Sequence, residues 1–264
     1  MRRGRMFWGV ILLFVGGMLL LNNFGLLPVD LGQVLWPSLI ILVGLWVLFR
    51  GRLGQPELET QELTIASEGA ANADLKLHHG VGRVIVGPGA NSGEVLNGTF
   101  AGGVRQRRSV SGDRIMVDLS VPSDAWMGFP WGSGRGFEWD VHLTEDLLYE
   151  ISVEAGAGEL QMDLENLKVS RLDLKTGASS SLVRLPAGME QCRVKLDAGV
   201  ASVQLVLPEQ VGARVTADMG LADLKIDPSR FTRTGKEYRT NNYEQAENKI
   251  EIDIDAGVSS VEIK

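Results

Sequence analysis

The sequence predicts a mainly β protein: a β-solenoid of about six coils, each 21–22 residues long, behind a two-helix N-terminal transmembrane hairpin. Three observations predict it. Five glycine-centred corners recur in the second half, alternating apolar residues flank each corner, and two uncharged apolar runs fill the first 50 residues.

The corners are Gly156-Ala157-Gly158, Gly177-Ala178-Ser179, Gly199-Val200-Ala201, Gly220-Leu221-Ala222 and Gly257-Val258-Ser259, with their first glycines 21, 22, 21 and 37 residues apart. A diverged sixth copy lies at Gly80-Val81-Gly82. Two strands of about five or six residues and two corners consume such a period, which is one turn of a two-faced solenoid. The glycine is expected to supply positive φ, and the small residue after it to let corners stack. Gly177 and Gly199 should then be stacked neighbours, about 4.8 Å apart.

Ile151 and Val153 precede the first of these corners and Leu160, Met162 and Leu164 follow it; Leu172, Leu174, Leu182 and Leu185 flank the next, and Val194, Leu196, Val203 and Leu205 the third. Alternation of this kind turns one side of each strand inward. Asp163, Asp173, Lys175, Arg193, Lys195, Asp197, Asp223, Lys225, Asp253 and Asp255 fall on the outward positions. Asp227 to Lys249, which widens the last interval, carries Pro228, Gly235, Asn241 and Asn242 and reads as a solvated loop.

Met6 to Leu21 and Val34 to Phe49 are the two apolar runs. About 20 residues cross ~30 Å of hydrocarbon, and Phe24, Leu26, Leu27 and Leu31 extend these runs toward that length. Residues 1–52 therefore read as a hairpin, 53–62 as a linker with Gly54 and Pro56, and 63–264 as the repeat domain. A cleaved signal peptide does not fit, because Leu20 to Phe24 lack small residues and a second apolar run follows at once. Arg2, Arg3 and Arg5 precede the first run, Arg50 and Arg52 follow the second, and the loop between has no Lys or Arg. Positive flanks place both ends, and so the β-domain, in the cytoplasm, the chain being a multi-pass protein of the cell (inner) membrane.

The net charge of −7 becomes about −11 for residues 53–264, which excludes a nucleic-acid partner that needs a basic face. Cys192 has no partner for an intramolecular disulfide. His78 and His79 are adjacent and His142 is remote, the wrong spacing for one metal, and serines recur at the corners as turns require rather than as a nucleophile would. The expectation is no enzyme, no metal and no cofactor. Two segments stand outside the repeat. Trp126, Phe129, Trp131, Phe137 and Trp139 crowd the glycine-rich stretch 126–139, and Arg105, Arg107 and Arg108 form a basic cluster; these are the candidate contacts to a partner or to lipid headgroups, the alternatives being rings folded back onto the solenoid end and arginines on a solvated hairpin.

Gly16 to Pro28 (GGMLLLNNFGLLP) and Trp36 to Leu45 (WPSLIILVGL) resemble the helical hairpin shared by LiaI and LiaF-type bacterial membrane proteins. Val153 to Leu160 and Leu196 to Val203 resemble the toast-rack or adhesin-type β-repeat domain that often follows it. The resemblance implies an accessory protein of the bacterial cell envelope. LiaF-type members modulate a sensor kinase of the envelope-stress response, so a kinase is the implied partner; the two apolar runs make the bilayer another, and association of several copies of the chain stays open. The alternative is a surface-displayed adhesin-like protein.

Overall fold

A computed structural model describes residues 60–122, 137–221 and 223–264; the expected hairpin lies outside them. The described chain is mainly β, and its sixteen strands belong to one open hydrogen-bonded sheet. Among the described residues no helix is long and apolar enough to cross a membrane.

The strands are β1 (Thr60–Ala66), which starts inside the segment expected as linker, β2 (Asn72–Pro88), β3 (Glu94–Ala101), β4 (Arg105–Ser111), β5 (Arg114–Ser120) and β6 (Phe137–Leu143). Next come β7 (Leu148–Asp163), β8 (Lys168–Arg184), β9 (Gln191–Ala198), β10 (Ser202–Val206), β11 (Gly212–Met219) and β12 (Asp223–Ile226). The series closes with β13 (Phe231–Thr234), β14 (Glu237–Thr240), β15 (Lys249–Ala256) and β16 (Ser260–Ile263).

Strands β2, β7 and β8 run through their glycine corners without a break, so each contributes to two parallel ladders. Before the corner the ladder runs β5, β2, β7, β8, β9, β15, β11; after it, β6, β2, β7, β8, β10, β16, β12. Register stacks like on like. Leu75, Ile151, Leu172, Val194, Ile252 and Val215 form one inward row, and Leu77, Val153, Leu174, Leu196, Ile254 and Ala217 the next. Both ladders close on one hydrophobic core, which is what the period-2 pattern dictates.

The expected neighbours Gly177 and Gly199 do stack: Gly199 N donates to Thr176 O and Val200 N to Gly177 O, both at 2.9 Å. The reason for glycine there differs from the expected one. None of the six leading corner glycines has positive φ; the positive values fall on Gly82 (138°) and Gly158 (137°), the third residues of the first two corners. What the leading glycines supply is closeness. A Cβ on Gly156 would sit 2.4 Å from Gly80 O, and one on Gly177 the same distance from Gly156 O. The contacts relax to 3.1 Å at Gly199 and 3.2 Å at Gly257 and Gly220.

Stack order departs from chain order. Val258 N donates to Gly199 O and Leu221 N to Gly257 O, so β15 and β16 enter between the β9–β10 rung and the β11–β12 rung. The segment Asp227 to Lys249 is not simply a solvated loop: β13 and β14 pair as a hairpin, and β14 joins β11 antiparallel. β11 would otherwise end its ladder with bare N–H and C=O groups, and the hairpin covers them while burying Phe231 and Thr240.

Candidate binding surface

The inserted aromatics divide between two settings. Trp126, Phe129 and Trp131 lie outside the described residues. Phe137 and Trp139 do not offer a contact surface: they are inward residues of β6, 1% and 0% exposed. The β6 sequence Phe-Glu-Trp-Asp-Val-His-Leu alternates, and pairing with β2 and β3 turns Phe137, Trp139, Val141 and Leu143 into the core. Trp139 packs edge-on against Phe100 (5.3 Å between ring centroids) and His79 (5.1 Å). β5 and β6 both pair parallel to β2, β5 before its glycine corner and β6 after it.

The basic cluster lies on β4, an exposed strand paired only with β5 among the described residues. Arg107 is opposite Asp118 in register, and Arg108 makes an ion pair with Glu68 at 2.9 Å. Charges on an edge strand of this kind oppose further strand addition.

A groove of about 1020 Å³ follows the glycine column. Its floor is the corner backbone of Gly80, Gly156, Gly177 and Gly199; a Cβ on Gly156 or Gly177 would meet the oxygen of the rung before it at 2.4 Å. One wall is the outward row two residues before each glycine: His78, Glu154, Lys175, Asp197 and Asp255, in register on successive strands. At the β2 end this wall neutralises itself. Glu154 accepts from Lys175 at 3.0 Å and lies 3.1 Å from His78 Nδ1. The Lys175 hydrogen bond, aided by His78, holds the Glu154 carboxyl below its usual range and raises Lys175 in turn. At the other end three aspartates, Asp197, Asp255 and Asp218, stand side by side in register.

His78 and His79 point to opposite sides of β2, as strand neighbours must, so the pair cannot share a ligand. His79 is 4% exposed, and burial pushes its pKa down to about 4 against the opposing effect of a hydrogen bond to the Phe137 backbone. Its Nε2 has no hydrogen-bond partner. Among the described residues no three His, Cys, Asp or Glu side chains converge as metal ligands. Cys192 is buried and its thiol is pushed up to about 12 by burial, which makes it inert. Sequence reasoning found the charged row but missed the groove, since nothing in the period says that the corner carries no side chain on its outer surface.

No curated protein matches the chain. A solved structure of a candidate cell adhesion protein from Clostridium sporogenes superposes with a TM-score of 0.69 and 22% identity, covering 78% of this chain and 98% of its own. At that identity the likeness shows the fold. A candidate adhesin from Bacteroides fragilis aligns over 80% of this chain and 100% of its own with 8% identity and a TM-score of only 0.30, too loose to bear on it. Residues 6–48 match the LiaI-LiaF-like transmembrane region, which implies association with a membrane. Residues 54–206 match the N-terminal domain of toast_rack, DUF2154, and since that match spans more than half of the 264 residues, the chain belongs to the toast-rack family.

Proposed function

We propose that this chain is a non-enzymatic, membrane-anchored binding or scaffolding protein: a six-coil β-solenoid, residues 63–264, held at the cytoplasmic side of the cell membrane by a two-helix hairpin and acting in envelope-stress sensing or its regulation. The observation that carries the reading is the junction, in one chain, of a LiaI-LiaF-like transmembrane region at 6–48 and a toast-rack region at 54–206. A surface repeated from rung to rung suits recognition. The contact residues proposed are Trp126, Phe129 and Trp131, with Arg105, Arg107 and Arg108 toward anionic headgroups; Phe137 and Trp139, buried in β6, are not among them. The partner is a membrane protein such as a sensor kinase.

The test is sidedness together with capture. Single cysteines placed after Arg52 report the side, because the inert Cys192 stays silent toward membrane-impermeant maleimide. Labelling only after the membrane is opened supports the cytoplasmic reading, and labelling of intact cells overturns it. Replacement of Trp126, Trp131 and Arg107 by Ala should abolish co-purification with a membrane protein while leaving the fold intact. The fold shared with the Clostridium sporogenes protein favours a second reading, a surface-displayed adhesin. Protease added to intact cells separates the two, since only an adhesin would lose its β-domain.

A further inference from the structure

Among the described residues five large apolar side chains are exposed, and three of them, Val200 (65%), Val258 (55%) and Leu221 (87%), occupy the same position, directly after the corner glycine. Their backbone amides donate in succession to Gly177 O, Gly199 O and Gly257 O, each at 2.9 Å, so the three stand on consecutive rungs as one ridge. The equivalent residues on the three rungs before them are Val81, which is half-buried, Ala157 and Ala178. An exposed large side chain therefore stands at this position only at one end of the stack. The acidic trio Asp197, Asp255 and Asp218 belongs to the same three rungs and lies in mutual register along the ridge. Elsewhere outward charges find opposite neighbours, as in Lys175–Glu154, Arg83–Glu159 and Arg193–Glu251. Here Asp197 reaches Lys195 at 3.4 Å, and no cation lies within ion-pair distance of Asp255 or Asp218 among the described residues. Like charges opposite one another weaken a sheet. A ridge of apolar side chains beside them is costly in water, and the two features together fit a surface completed by a partner that is both apolar and basic.

The spacing selects the shape of that partner. Rungs repeat every ~4.8 Å, close to the 5.4 Å pitch of an α-helix, so apolar residues at i, i+4 and i+7 meet three successive rungs. Alternate residues of an extended strand are ~6.6 Å apart and fall out of step. We propose that the Val200–Val258–Leu221 ridge docks a basic amphipathic helix of a partner protein, laid along the stack with its apolar row on the ridge and its Lys or Arg side chains over Asp197, Asp255 and Asp218. This rests on the binding-module reading and names the chemistry of the partner. An anionic lipid surface is disfavoured by the aspartates.

The test uses the full chain in nanodiscs of zwitterionic lipid, which do not attract cationic peptide. The probe is a fluorescent, stapled helical peptide of about four turns with leucines at i, i+4, i+7 and i+11 and lysines beside them. Anisotropy should report binding to the wild type, a loss of about tenfold or more for the triple variant V200S/V258S/L221S, and a similar loss with a flatter salt dependence for D197N/D218N/D255N. V110S/M116S, which alters the other two exposed apolar residues, should bind as the wild type does. Melting of each variant guards against misfolding. Equal binding by the triple-serine variant, equal binding of a peptide with glutamates in place of lysines, or attachment to anionic vesicles that depends on the ridge would overturn the proposal. Undiminished co-purification of the triple-serine variant with the membrane partner would overturn the ridge while leaving the binding-module reading in place. Failure of the wild type to capture any partner would instead count against that reading.

Discussion

Substituting alanine at five leading corner glycines, Gly156, Gly177, Gly199, Gly220 and Gly257, separates closeness from backbone strain as the reason for glycine. At Gly177 the new Cβ would fall 2.4 Å from Gly156 O, an oxygen fixed by the ladder on both sides, so one rung must move away from the next. Overpacking of this kind costs about 1–3 kcal/mol. Because these glycines have no positive φ, alanine also removes unfolded-chain freedom, which offsets about 0.4–1 kcal/mol. A net loss of about 1–2 kcal/mol follows for Gly177→Ala, and likewise for Gly156→Ala against Gly80 O. At Gly199, Gly257 and Gly220 the nearest oxygen is 3.1–3.2 Å away, a shift of a few tenths of an ångström suffices, and the two contributions cancel to within about 0.5 kcal/mol. Guanidinium unfolding of the full-length protein in detergent, followed by tryptophan fluorescence, gives the five values. Equal losses at Gly177 and Gly199, or no loss at Gly177, would refute closeness as the reason.

Trp139→Ala should lower stability by about 3–5 kcal/mol, read from the same unfolding curves, because it empties a fully buried site against Phe100 and His79. His79 makes stability pH-dependent: its folded pKa of about 4 lies below the usual 6.5, so its neutral form is favoured in the fold and its contribution is complete above pH 6.5. That contribution, on the order of 3 kcal/mol, is lost as pH falls from 6.5 to 4, and His79→Asn should flatten this part of the stability profile relative to the wild type. Cys192 should resist maleimide in the folded protein and react once guanidinium unfolds it; fast labelling under native conditions would show that the strand opens.

The inward rows were legible wherever alternation was unbroken, as at Ile151, Val153, Val194 and Leu196. After Gly177 it misled, because Leu182 looks like a core residue, whereas counting from the corner makes Ser181, Val183 and Leu185 the inward positions. Phe137 and Trp139 were grouped with the glycine-rich stretch before them, although the same alternation that includes Val141 and Leu143 begins at Phe137. The hairpin of β13 and β14 was hidden by its loop-like composition: Phe231 is its one fully inward apolar residue, and the remaining pattern is set by pairing with β11. For the candidate surface, the charged row could be read from position, but the acidic trio and the apolar ridge could not. Both depend on which corners are neighbours, and the corner motifs are too alike to say.

The placement of β15 and β16 between two earlier rungs has a bearing on synthesis. A ribosome releases residues 212–226 before 249–263, so the β11–β12 rung emerges with no correct surface to dock on, while the exposed β9–β10 rung offers a near-equivalent wrong one. The inner register of β11, Ala213, Val215 and Ala217, is smaller than Ile250, Ile252 and Ile254 of β15, so β15 buries more apolar surface on β9 than β11 would in its place. Native assembly at this end requires β15 and β16 to be present, and deleting residues 249–264 should let β11 and β12 take the vacated rung on β9 and β10 instead of simply shortening the stack.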